Sequence, residues 1–298
     1  MTTVSTSPAT RTKTAHGSAP KSRRRAGVVI GRLGLWAWLL ATMIPLVFML
    51  ITSVKPEGIA RSLPPKWLFT PTFDNYRHVL AGGDGLSQGF NDLLLHSAIV
   101  TAGSTLLTIV VAVPASYALA MRTFRQRKFL SSWILSTYMF PPIVAVIPIF
   151  IYAGKLDLID RYPVLIVPYA AFNLPIAVWT LRAAVLQIPY EIQESAMVDG
   201  ASQFTILRRI IWPLLIPSVA TAAILSAILS WNEFLFALSL TRSEVKTAPV
   251  GVQEFTGMFG TQWGALTAAA TVIVAPIVVM TLVLRRRIVS GLTLGAVK

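Results

Sequence analysis

The stretch Ile188-Pro189-Tyr190-Glu191-Ile192-Gln193-Glu194-Ser195-Ala196-Met197-Val198-Asp199-Gly200-Ala201, running on to Ile210-Ile211-Trp212-Pro213, separates the fourth and fifth apolar segments of the chain. It reads as two short helices broken at a glycine. Pro189 suits a helix start, where its fixed φ and missing N–H cost nothing. Glu191 and Glu194 follow in the first turns, where carboxylates suit the positive helix end. With Val198 they are spaced i, i+3 and i+7, so the acids share a face that ends in an apolar contact. Gly200 permits the left-handed backbone that lets one helix stop and another start at a sharp angle. Ala201 is small beside that turn and allows close approach of a partner surface. The second helix, 202–211, mixes apolar Phe204, Ile206 and Leu207 with Arg208 and Arg209, and Pro213 is expected to stop it.

The surroundings of this stretch are apolar. Of 298 residues, 54% are hydrophobic and 13% are charged, against about 25% charged in soluble domains. Six segments, near 33–51, 97–121, 129–152, 163–181, 214–240 and 263–284, are long enough to cross about 30 Å of hydrocarbon as helices. None alternates with the period of a barrel strand. The fold class expected is therefore an all-α membrane protein with six transmembrane helices, both termini cytoplasmic. The two-helix element lies in the cytoplasm between helices 4 and 5. Residues 1–26 read as a disordered basic tail, 27–290 as the membrane domain and 291–298 as a cytoplasmic C-terminal tail. Met49-Leu50-Ile51-Thr52 offers no small-x-small cleavage site, so the first span is expected to be uncleaved.

Charge supports this orientation. The formal net charge is +14. The pieces assigned to the cytoplasm hold 18 cations and three acids, the outer pieces eight of each, as the positive-inside rule requires. A basic stripe with interleaved aromatics is lacking, so nucleic acid is not an expected partner. Absence of cysteine excludes disulfides and thiolate metal sites. No phosphate-loop sequence occurs, and the three histidines are scattered, so neither ATP binding by this chain nor a zinc site is expected. Gly85-Leu86-Ser87-Gln88-Gly89 matches Gly-x-Ser-x-Gly but sits in a glycine-rich outer loop rather than between a strand and a helix. No catalytic, cofactor-binding or metal residues are expected, and the chain reads as a non-enzyme.

Prolines recur within the spans at Pro114, Pro141, Pro142, Pro148, Pro168, Pro175 and Pro276. Each removes a helical hydrogen bond that lipid cannot replace, which suits a transporter core lined by neighbouring helices or a watery cavity. Glu233 is the one acid inside a span. On a continuous fifth helix it shares a narrow face with Ala223, Ser226, Ser230 and Ala237, with Asn232 one position round. Such a face packs on another helix or lines a path, so Ser226, Ser230, Asn232 and Glu233 are candidates for a translocation path or a subunit interface.

Glu194, Ala196, Gly200, Ile210 and Pro213 also fall on the pattern Glu-Ala-Ala, three residues, Gly, nine residues, Ile-x-Leu-Pro, with Ser195 for the first Ala and Trp212 for the Leu. In this the chain resembles the membrane subunits of binding-protein-dependent ABC importers. "PTFDNY" at 71–76, "MFPP" at 139–142, "FNLP" at 172–175, "WNEFLFALSLT" at 231–241 and the ending "GLTLGAVK" are similar to sugar-importer permeases of the maltose and trehalose type. The resemblance implies a permease in the cytoplasmic membrane that forms half of a path for a carbohydrate. Its implied partners are a second permease subunit, expected to be a different chain, two ATPase subunits that bind the ATP, and an extracytoplasmic sugar-binding protein. It also implies that Glu191, Glu194, Ala196, Asp199, Gly200 and Ala201 couple to the ATPase. The rival class is an ion-gradient-driven secondary transporter, which calls for inverted repeats and several intramembrane ionisable groups.

Overall fold

The computed structural model describes residues 21–82, 89–257 and 260–293, with side chains at 31–82, 89–257 and 260–283. It divides at residue 48 into two units. The described part of the first belongs to α1 (Lys21–Ser53). This helix begins inside the stretch 1–26 read from the sequence as a tail, and residues 1–20 and 294–298 lie outside the described residues. So does most of the Gly-x-Ser-x-Gly string.

In the second unit, the loop after α1 contains α2 (Glu57–Ala60) and α3 (Asp74–Ala81), followed by the long α4 (Phe90–Met121). A basic turn leads to α5 (Arg127–Thr137) and α6 (Pro142–Lys155), then α7 (Tyr162–Val185). The two-helix element comprises α8 (Tyr190–Val198) and α9 (Gln203–Ile206), joined by a π-turn (Leu207–Ile211) to α10 (Trp212–Trp231). After α11 (Leu235–Leu240) come α12 (Ala248–Gly251), a 3₁₀ turn (Val252–Phe255) and a two-stranded antiparallel ribbon that pairs Thr256 with Thr261. The last helix is α13 (Trp263–Thr293).

Among the described residues, five helical runs are long and apolar enough to cross a membrane: Gly31–Ser53, Phe90–Met121, Tyr162–Val185, Gln203–Trp231 and Trp263–Val283. The segment read from the sequence as the third span is not one helix: α5 and α6 pass the same test only as a bent pair, meeting at 89°. Pro141 and Pro142 supply no N–H, and Pro141 pushes Phe140 out of the helical region. The chain ends α5 with tight bonds from Tyr138, Met139 and Phe140 to carbonyls three residues back, then restarts with Pro142 in the first turn of α6. Pro114, Pro168, Pro175 and Pro276 are instead carried inside continuous helices.

The centre of the unit is α4 packed on α7 and α10. Close approach is set at Gly103, where a Cβ would meet Ile166 Cδ1 at 2.8 Å. Buried apolar side chains of all three helices, among them Ile109, Ala112, Val178, Leu181 and Ala222, fill the middle. At one end Tyr117, Met121 and Val185 pack on Ala196, Ile206, Ile211 and Leu215, which seats the two-helix element on the bundle. At the other, Val79, Phe90, Leu93 and Phe255 pack on Ala265 and Ala268, tying α3 and the ribbon segment to α13.

Two expectations are corrected here. Pro213 does not stop a second short helix. The Trp212 N–H bonds to the Leu207 carbonyl five residues back, and the widened turn carries the chain through Pro213 into α10 without a break. The fifth span is also not one helix over 214–240: it stops at Trp231 and resumes at Leu235.

Candidate coupling surface and intramembrane polar centre

Pro189 caps α8, and the helix ends in a two-bond C-terminal motif at Gly200. The Gly200 N–H bonds to Met197 O (3.0 Å) and the Ala201 N–H to Ala196 O (2.9 Å), with Gly200 at φ +79°. Space beside Gly200 is open, so its requirement is conformational rather than steric. Ser202 then caps α9, its Oγ accepting from the Thr205 N–H at 3.3 Å.

Of the six residues assigned to coupling, Glu191, Glu194, Asp199 and Gly200 are exposed, and Ala201 is half-buried. Val198, 87% exposed, lies among them as an apolar projection. Ala196 faces the other way, buried with Gln193 against this chain's own bundle. The inner face is held by residues that spacing within the loop does not reveal. Tyr117 on α4 donates its hydroxyl to Gln203 Oε1 at 2.9 Å and lies 3.3 Å from Gln193 Oε1, while Gln203 Nε2 contacts Met197 Sδ at 3.3 Å. One α4 side chain thus touches both short helices across more than seventy residues of sequence.

The second candidate group divides. Ser226 and Ser230 are buried within the chain, where Ser230 Oγ accepts from Ser104 Oγ (2.9 Å) and Asn173 Nδ2 (2.9 Å). Asn173 Nδ2 also lies 3.3 Å from Ser226 O. This polar knot joins α4, α7 and α10 away from water, where an unpaired polar group is costly. Asn232 and Glu233 occupy the break after α10. Asn232 Nδ2 turns back to Ile228 O at 2.8 Å. The Glu233 carboxylate accepts from the Phe236 N–H (2.9 Å) and Ala237 N–H (3.3 Å), so it caps α11 and leaves the face of Ser226 and Ser230.

Beyond α11, Asp160 in the α6–α7 loop accepts from four successive backbone N–H groups, Arg242 (3.0 Å), Ser243 (2.9 Å), Glu244 (2.8 Å) and Val245 (3.1 Å). Asp160 itself adopts φ +61°. Partial burial alone would raise its pKa, but the four amides outweigh that and lower it to about 2. Sequence spacing gave no sign of this contact, since its partners lie more than eighty residues apart.

Residues 112–293 match the model of the family described as binding-protein-dependent transport system inner membrane component. The chain is 38% identical over 261 residues to the trehalose transport system permease protein SugB of Mycobacterium tuberculosis, covering 86% of this chain and 92% of the relative. It is 34% identical over 264 residues to the trehalose/maltose transport system permease protein MalG of Thermococcus litoralis, covering 86% and 91%. The fold matches a chain from the crystal structure of a bacterial ABC transporter involved in import of the acidic polysaccharide alginate, with a TM-score of 0.72 and 23% identity, over 90% of this chain and 98% of that one. The chain therefore belongs to the binding-protein-dependent inner membrane components: it is a multi-pass permease subunit of an importer, not an enzyme.

Proposed function

We propose that this permease forms half of a carbohydrate path in the cytoplasmic membrane, paired with a second, different permease chain. Two ATPase subunits bind the ATP, and an extracytoplasmic sugar-binding protein delivers the substrate. Both termini lie in the cytoplasm on this reading, as the charge distribution favours. The observation that carries it is the α8–Gly200–α9 element, whose exposed acids and Val198 project from a turn seated on α4 and continuous with α10. A surface of that kind receives a push and passes it into a span. ATP binding would close the ATPases, draw the two permeases' coupling elements together and turn the bundle outward. The names of the trehalose and trehalose/maltose relatives support a carbohydrate substrate.

The test is uptake by vesicles reconstituted with the complex purified through a tag on this chain. ATP inside the vesicles, with binding protein outside, is expected to drive uptake of a disaccharide such as trehalose or maltose. Uptake driven by a proton or sodium gradient without ATP would instead establish a secondary transporter.

A further inference from the structure

The turn between α4 and α5 is more than a run of positive charge. Arg125 from this turn and Arg127 and Lys128 from the first turn of α5 converge with Arg182 from the end of α7 around one open cavity of about 620 Å³, also lined by Thr123 and Phe124. That size lies within the range of small-molecule sites, about 300–1,000 Å³. Among the described residues none of the four cations has an acidic partner within ion-pair distance. Arg182 is held in place, its Nε donating to Leu119 O at 3.3 Å and its guanidinium lying 6.0 Å from the Trp179 ring centre. A cationic loop needed only for topology has no reason to recruit a fixed arginine from another helix.

One aromatic, Phe124, lines the cavity, and the Trp179 ring lies beside its Arg182. Phe124 is 40% exposed, and Phe129 and Trp179, which rise from the same end of α5 and α7, are 68% and 43% exposed. Aromatic side chains beside unpaired cations, at one end of membrane-spanning helices, are the pattern of a headgroup boundary. A soluble acidic protein segment would gain little from that apolar wall, whereas a lipid has an anionic head for the cations and acyl chains for the aromatics. We propose that this cavity is a binding site for the phosphate headgroup of an anionic phospholipid. The site neighbours the coupling element, because Tyr117, Ala120 and Met121 in the last turn of α4 pack against Ala196 and Ile206. The proposal needs the chain to span a bilayer; it is independent of which solute is carried.

The experiment is native mass spectrometry of the full chain in mild detergent with equal amounts of phosphatidylglycerol and phosphatidylcholine. The wild type is expected to retain phosphatidylglycerol in preference by at least about tenfold. The triple variant R125Q/R127Q/K128Q should bring the ratio to about one, while R11Q/K13Q/K21Q, which removes as much charge from the N-terminal region, should leave it unchanged. If the triple variant does not insert, the single substitutions R125Q and K128Q are compared instead, each lowering the ratio about fivefold. Equal retention of the two lipids by the wild type, or an undiminished preference in the variants, would overturn the proposal. So would displacement of the lipid by millimolar glycerol phosphate, which would make this a site for a soluble phosphate ester. Loss of ATPase co-purification in the triple variant with lipid retention unchanged would assign the cavity to a protein partner.

Discussion

The Tyr117 hydroxyl donates to Gln203 Oε1 at 2.9 Å, fastening the last turn of α4 to the first residue of α9. Gln193 Oε1, on α8, lies 3.3 Å from the same hydroxyl. The two-helix element is therefore pinned to the bundle beneath both of its helices by a single phenol. Tyr117→Phe removes the pin without opening a cavity and leaves the half-buried Gln203 amide oxygen, and the buried Gln193 one beside it, short of a donor. The expected cost is about 1–3 kcal/mol, seen as a lower thermal transition of the purified complex. ATP hydrolysis should rise relative to sugar uptake. Unchanged stability and coupling would mean that the apolar contacts alone seat the element.

At Gly200 the backbone sits at φ +79° with open space around it. Conformation rather than volume should decide the outcome. Gly200→Asn is expected to retain most uptake, whereas Gly200→Val, β-branched and disfavoured at positive φ, should abolish uptake with the protein still inserted. Co-purification of the ATPase with each variant checks this; equal behaviour of the two substitutions would refute it. Glu194→Lys should also lose ATPase binding, since it reverses charge on the exposed face of α8.

Glu233 caps α11 through two backbone N–H groups. Glu233→Leu strips that cap and should cost about 1 kcal/mol or more, impairing transport, while Glu233→Gln keeps an acceptor and should be milder. If the carboxylate also contacts the second permease, the Leu variant will assemble poorly. If it contacts the sugar, the complex will stay intact with altered substrate dependence. An intact complex with wild-type uptake would exclude all three roles.

Asp160 has a folded-state pKa of about 2, below its ordinary value near 4. Its contribution to stability is therefore fully present above about pH 4 and is lost as pH falls toward 2. Across the neutral range the wild type should show no pH dependence from this group. Asp160→Ala leaves four amides without their acceptor and should destabilise the two loops it joins by on the order of 1 kcal/mol, since solvent reaches the site. Faster proteolysis in the 241–247 segment at neutral pH is the readout; wild-type resistance would count against the role.

The spans and the glycine break were legible because each is written locally, in apolar length or in a residue whose backbone preferences are unusual. The 89° bend at Pro141–Pro142 was half legible: the sequence marks the lost donors, but the angle depends on what the second helix packs against. Pro213 and Pro141 show why such readings differ in outcome. A widened turn absorbs the first, while tandem prolines leave no amide with which to continue the second. Glu233 misled because helical periodicity assumes an unbroken helix, whereas a carboxylate followed by free amides can start a new one. Tyr117, Asn173 and Asp160 left no signal, since their partners are brought together only by the packing of distant helices and loops.

The π-turn at 207–211 has a geometric consequence for the whole fifth span. Ile206 and Ile211 are both fully buried while Arg208 and Arg209 are exposed. In an α-helix, residues five apart point about 140° away from each other; the wider turn brings the two isoleucines back onto one side. Removing one residue here would restore ordinary pitch and turn everything downstream by about 100°. Ser230 would then face away from Ser104 and Asn173, and the polar knot could not form. The extra residue in the loop thus acts as an angular shim: it sets the azimuth of α10, and with it which side chains this helix shows to the rest of the bundle.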